Sequence, residues 1–366
     1  MMSNSKVITF GEIMGRVTPR GFLRFRQTLP GPLDVTFAGA EASVAASIVY
    51  LGGEAAFVTA LPGHAIADAC VANLKAMGVD TQYILRRKPG RLGLYFLETG
   101  ANQRPSTVIY DREGSAVSMV PAAEYPWKKI FTGAGWFHLS GITPAISKIA
   151  SETALAAVQA AHTQGVTVSC DLNFRRKLWI WEAGADPSEL AQRTMRKILE
   201  HVDVVIGNEE DAGEVLGIHA QDTDVHSGKV ATDKYPEVAR QIVAQFPQVK
   251  TVAITLRESI SASHNNWGAM LYDTAADSAC HAPVRGGQYS PYEIKNIVDR
   301  VGGGDSFAAG LIFALLDPDL KAPQTAVAFA VAASCLAHSI SGDFNFSSRP
   351  EVEALMKGSE SGRVVR

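Results

Sequence analysis

The chain reads as an α/β protein, a doubly wound and mostly parallel sheet flanked by helices, and three observations say so. Short Val/Ile/Phe-rich runs alternate with longer Ala-rich stretches. The runs are apolar throughout rather than alternating, as parallel strands covered on both faces are. Two intervals, near 18–36 and 90–120, break this rhythm with strand-like segments that have no helix between them, which predicts a small β-sheet lid on the core.

In order, strands are predicted at Val7–Phe10, Ala56–Ala60, Trp136–Leu139, Val166–Cys170, Val202–Ile206 and Thr251–Leu256. Helices are predicted at Ala40–Leu51, Ile66–Met77, Ile146–His162, Ser188–His201 and Pro236–Phe246, with an apolar one at Phe307–Leu316. Repeated β–α alternation argues for one wound sheet rather than two domains. The reading takes residues 1–357 as that domain with its lid, and the tail GSESGRVVR from Gly358 as disordered. LGLYFLETG and STVIYDR read as paired antiparallel strands of the lid.

Composition narrows the function. The 366 residues carry a formal charge of -3, which gives no general attraction to nucleic acid or membrane. The apolar run Ala326–Ala337 is too short to span a bilayer. Cys70, Cys170, Cys280 and Cys335 form no CxxC pair or zinc spacing, which suits a reducing compartment. With no apolar leader in MMSNSKVITFGEIM, a cytoplasmic protein is expected.

In an open parallel sheet, ligands sit beyond the carboxyl ends of the strands. Polar groups gather at those ends: Gly11-Glu12, Ser140-Gly141, Asp171 to Arg175, Gly207 to Asp211, and Thr255 to Glu258. Loops are polar anyway, but the concentration favours a site. The sharpest signal is Asp299-Arg300-Val301-Gly302-Gly303-Gly304-Asp305, three glycines leading into an apolar helix. Unencumbered N–H groups at a helix start make a phosphate cradle, with Asp305 placed to take the proton of an attacking hydroxyl. Alone, the segment reads equally well as a glycine turn capped by Asp305. It is neither a Walker loop nor a dinucleotide fingerprint.

The segment resembles the C-terminal signature of the PfkB, or ribokinase-like, sugar kinases, Asp-Thr-x-Gly-Ala-Gly-Asp. Asp299, Gly302, Gly304 and Asp305 match it, while Arg300, Val301 and Gly303 depart from it. The triple glycine is similar to that of 2-keto-3-deoxygluconate kinases. So is Phe37-Ala38-Gly39-Ala40-Glu41-Ala42-Ser43, a sugar-binding helix start with Ser43 in the usual asparagine's place. Tyr95, Tyr110-Asp111-Arg112 and Asp171-Leu172-Asn173-Phe174-Arg175 also resemble segments of those enzymes.

What the resemblance implies is ATP-dependent phosphorylation of a sugar acid, with 2-keto-3-deoxygluconate going to its 6-phosphate. Asp305 would be the catalytic base, and the Gly302, Gly303 and Gly304 amides the anion hole. Glu12, Gly39, Ala40, Ser43, Tyr95 and Tyr110 would shape the sugar site. Arg112 and Arg175 would close on the carboxylate, as paired guanidiniums do. Asn173, Asn208, Thr255, Arg257 and Asn345 would contact the nucleotide, and Asp211 would reach Mg²⁺ through water. Thr255–Ser259 occupies the place of the family's nucleotide loop without its two glycines, before an insertion SASHNNW. Partners would be the sugar acid and ATP, with a homodimer through the lid; a need for K⁺ stays open. A fructose, 5-keto-2-deoxygluconate or nucleoside kinase is the alternative, and a non-catalytic binding protein or an NAD-dependent oxidoreductase the more distant ones.

Overall fold

The computed structural model describes residues 6–208, 210–218 and 234–358. Glu209 and the tail from residue 359 lie outside them. The first strands are β1 (Lys6–Phe10), β2 (Met14–Thr18), β3 (Asp34–Ala38), β4 (Ala55–Pro62), β5 (Ile84–Arg87), β6 (Leu94–Glu98) and β7 (Thr107–Asp111). Then come β8 (Ala134–Ser140), β9 (Thr167–Asp171), β10 (Val204–Asn208), β11 (Thr251–Ser261), β12 (His264–Asp273) and β13 (Ser278–Ala282). A two-residue pair, β14 (Val284–Arg285) and β15 (Gln288–Tyr289), precedes β16 (Tyr292–Lys295).

The main sheet runs β13-β12-β11-β10-β9-β8-β1-β4-β5, with β16 also on β12. From β5 to β11 every pairing is parallel. Strands such as β1 and β4 are buried along nearly their whole length, which is why they carry no polar face. Two apolar clusters cover the two faces. One is built around helices Gly303–Leu316 and Pro323–Ala337, where a side chain on Gly310 would lie 2.9 Å from the Ala330 Cα. That glycine lets the helices approach closely enough for Phe313 and Phe329 to stack at 5.6 Å. Among the described residues no helix is long and apolar enough to cross a membrane.

The second sheet, β3-β2-β6-β7, is antiparallel except where β2 and β6 run parallel. The pairing of β6 with β7 is the one the sequence predicts. The boundaries differ from expectation. The sheet begins at Met14, directly after the β1 end, and the 18–36 interval holds a one-turn helix, Phe25–Thr28. The interval to 120 ends in the core-packed turn Ala116–Met119. Gly15 and Arg16 hide the β2 strand from a propensity reading, since neither residue favours strands.

A further correction concerns Thr255–Ser259. It is no loop: it lies within β11, which continues to Ser261 and turns back into β12. Arg257 pairs with Trp267 and Leu256 with Gly268. Without glycines there is nothing to bend the chain, so the supposed insertion becomes the end of a long hairpin.

Candidate active site

At β1 and β8 the strand order reverses, with β4 and β5 to one side and β9 to β13 to the other. The carboxyl ends at such a reversal form a crevice. A cleft of 320 Å³ opens there, lined by both sheets.

Its floor is the glycine turn. Helix Gly303–Leu316 starts four residues earlier than the Phe307 that a glycine-averse reading expects, so Gly303, Gly304 and Asp305 form its first turn. Gly302 precedes it at φ 83°, a left-handed conformation that glycine adopts freely. A side chain on Gly302 would also lie 2.3 Å from the Asp343 carbonyl oxygen. The first-turn N–H groups have no helical acceptor and can serve an anion. Asp305 sits beside them with its pKa pushed up to about 7 by burial first, then by the charges of Asp343 and Glu41. A carboxylate so tuned is suited to proton abstraction near neutrality.

Glu12, Gly39 and Ala40 line the cleft at the β1 end. Gly39 packs so closely there that a Cβ would lie 2.1 Å from the Glu12 carbonyl oxygen. Tyr95, Tyr110 and Arg112 come from the second sheet. Tyr95 stands across from Tyr110 in the β6–β7 register. Two expectations change here. The Tyr95 hydroxyl is already engaged, donating to Asp343 at 2.8 Å. Arg112 is buried and held by Glu12, with Nε donating to Oε2 at 2.8 Å and Nη2 to the same oxygen. Arg112 is therefore not a free partner of Arg175. The Glu12 Oε1 has no hydrogen-bond partner, and the Arg112 guanidinium lies 5.6 Å over the Tyr110 ring. Arg175 is exposed at the rim, where its charge lowers the pKa of Asp171, Asp211 and Asp305.

The other strand ends supply Asn173, Asn208, Asp211, Thr255 and Arg257. Asn208 Oδ1 accepts from the Glu210 and Asp211 N–H groups, and Asp211 accepts from Asn208 and Phe174 N–H. These bonds pin the turn after β10. Asp171 and Asp211 are both held above the usual carboxylate range, chiefly by burial, and for Asp171 also by the charges of Asp211 and Asp305.

Two expected residues do not line the cleft. Ser43 is buried in helix Ala40–Tyr50 with its hydroxyl unpartnered. Asn345 is buried beyond the cleft, its amide donating to the Ala333 carbonyl and accepting from Ser347 N–H. The shared cause is depth: Ser43 is buried within the packed helix, and Asn345 satisfies backbone groups.

The structure adds three residues to which the sequence reading assigns no role. Glu41 is fully buried, and its Oε1 accepts from Ser140 N–H, Ser140 Oγ and Thr143 Oγ1 at 2.7–2.9 Å. Asp343 borders Gly302. Arg300 lines the cleft and donates to Asn265, with burial and the nearby Arg257 charge lowering its pKa. A glutamate in a helix's first turn is ordinary, so only the fold reveals its burial.

A family model described as pfkB family carbohydrate kinase matches residues 5–348. A crystal structure of 2-dehydro-3-deoxygluconokinase from Thermotoga maritima is 44% identical, with a TM-score of 0.86 over 97% of this chain and all of the other. A 2-dehydro-3-deoxygalactonokinase from Haloferax volcanii is 29% identical over 98% of each chain. A structure from Enterococcus faecalis, described as a putative 2-keto-3-deoxygluconate kinase, is 25% identical with a TM-score of 0.84 over 99% of both chains. The ribokinase-like fold, the glycine turn in the cleft and these matches agree: the chain belongs to the PfkB family of carbohydrate kinases.

Proposed function

We propose that the protein transfers the γ-phosphoryl group of ATP to the terminal hydroxyl of 2-keto-3-deoxygluconate or a closely related keto-deoxy sugar acid. The observation that carries the reading is the Gly302–Asp305 turn: free backbone donors and a carboxyl poised near pH 7 at one point of one cleft. Asp305 takes the hydroxyl proton while the first-turn N–H groups receive the charge spread over the transferring group. Arg257 and Arg300 supply positive charge for the nucleotide phosphates.

For Mg²⁺ the residues fit. Asp171 and Asp211 are neighbouring buried carboxyls whose pKa values are raised, a cost that a cation relieves. Among the described residues no three acidic, thiol or imidazole groups form a metal cluster. Asp171 and Asp211 would hold the ion through water, with the phosphates completing its shell. Bound there, it would neutralise phosphate charge. The reading needs no K⁺, because the buried carboxylates beside the glycine turn, Asp299 and Asp343, are already met by Arg16.

The second sheet acts as a lid, carrying Tyr110 and Arg112 over the sugar. Its exposed Val35 and Ile109, with Phe22, Leu23 and Leu29, offer a second copy an apolar face. The scattered free thiols suit the cytoplasm.

An assay of ADP release across 2-keto-3-deoxygluconate, its galacto epimer, fructose, 5-keto-2-deoxygluconate and nucleosides tests the reading. The expected result is the highest kcat/KM for a keto-deoxy acid, equal in potassium and sodium buffers. A preference for fructose or a nucleoside would overturn it.

A further inference from the structure

Arg16 stands on β2, between Met14 and Thr18, and its side chain is 3% exposed. Its register partner on β6 is Tyr95. Its guanidinium leaves the second sheet altogether. Nη1 donates to Asp343 Oδ1 at 2.5 Å, and Nη2 to Asp299 Oδ2. Both acceptors belong to the framework of the glycine turn. Asp299 Oδ1 accepts from Val301 N–H at 3.1 Å, and its Oδ2 from Gly342 N–H at 3.2 Å. The Asp343 backbone presses on Gly302 closely enough to exclude any side chain there. Tyr95 adds its hydroxyl to Asp343 at 2.8 and 2.9 Å. Val301 packs against the lid cluster of Met14, Ala38, Tyr95 and Leu97.

One buried cation on the lid thus joins the two strands of chain that frame the anion-binding turn. A charge so placed in low dielectric is demanding of its geometry, and removing one partner leaves the other buried and uncompensated. We propose that Arg16 is a positioning residue for phosphoryl transfer, a lid-borne cation that sets the Gly302–Gly304 turn and couples the lid's position to it. Arg16 does not line the cleft; it acts through Asp299 and Asp343. The inference rests on the glycine turn being the phosphate site.

Arg16→Ala leaves a guanidinium-shaped gap between two carboxylates. The expected result is a fall in kcat of about tenfold or more, with KM for both ATP and the sugar acid changed less than about threefold. Low-millimolar guanidinium chloride should restore a measurable part of kcat, and Arg16→Lys, which keeps the charge, should retain more activity than the alanine variant. Should Arg16→Ala fold poorly, Arg16→Met with Asp299→Asn removes one of the two orphaned charges, while Asp343 keeps the Tyr95 hydroxyl and its charge near Asp305. Recovered thermal stability with kcat still depressed supports positioning. Recovery of kcat along with stability overturns it, as does a loss confined to KM or an alanine variant that turns over like the wild type. A wild type without turnover on any sugar would instead remove the kinase reading itself.

Discussion

Asp305→Asn is expected to lower kcat by at least about a hundredfold, because the amide cannot accept the proton of the attacking hydroxyl. Binding of ATP should change little, since the turn's backbone donors remain. The wild-type pH profile carries the second half of the test. Asp305 works only when ionised, and burial with the Asp343 and Glu41 charges places its pKa at about 7. Turnover should therefore rise with pH through an apparent pKa near 7, a limb absent from the residual activity of the variant. Stability should move the other way. A carboxyl whose folded pKa lies above its ordinary 3.8 favours the fold most when protonated. Its contribution is complete below about 3.8 and is lost as pH rises through about 7. Asp305→Asn escapes that loss, so its melting temperature should exceed the wild type's at pH 8 and approach it at pH 5. The distance between 3.8 and about 7 sets an upper bound of about 4 kcal/mol. Near wild-type turnover in the variant, or a pH profile flat between 6 and 8, would free Asp305 from this role.

The parts of this molecule that could be read in the sequence are those fixed by local chemistry. Apolar runs such as Val7–Phe10 read as buried strands, and three glycines before an apolar helix narrow to a phosphate cradle or a capped turn. The 255–259 segment misled because a loop was expected from the position it occupies, whereas its own residues, Thr-Leu-Arg-Glu-Ser, continue a strand. The β12, β13 and β16 strands were illegible for another reason. β12 and β13 carry Asn, His, Gly or Ser, and all three belong to the antiparallel end of the sheet, where pairing partners decide what propensity does not. Around the cleft, sequence order could not show that Arg16 reaches Asp299 across 283 positions, or that Glu12 reaches Arg112 across 100. Ion pairs of that span are made by topology. They also changed the reading of Arg112 from a free guanidinium to half of a buried pair.

That pairing dictates how the substrate class should be tested. Arg112→Ala alone would strand Glu12, which is buried and has one oxygen already without a partner. The resulting damage would fall on every substrate alike and say nothing about the carboxylate. The double variant Glu12→Gln with Arg112→Gln keeps a hydrogen-bonding pair and removes both charges. Arg112 spends Nε and Nη2 on Glu12, and no bond to Nη1 is made within the protein's own described contacts. In the sugar-acid reading that remaining donor, with its charge, faces the substrate carboxylate in the cleft. A charge-assisted hydrogen bond contributes roughly 1.5–3 kcal/mol, so KM for the keto-deoxy acid should rise about ten- to hundredfold. A neutral sugar of the same length has no carboxylate to lose, and its KM should stay within about twofold. Arg175→Ala gives the complementary result. Its charge acts on Asp171, Asp211 and Asp305, so its loss should shift the acidic limb of the pH profile upward as well as weakening the acid. Equal penalties for acid and neutral sugar in the double variant would mean that Arg112 shapes the lid without recognising the carboxylate.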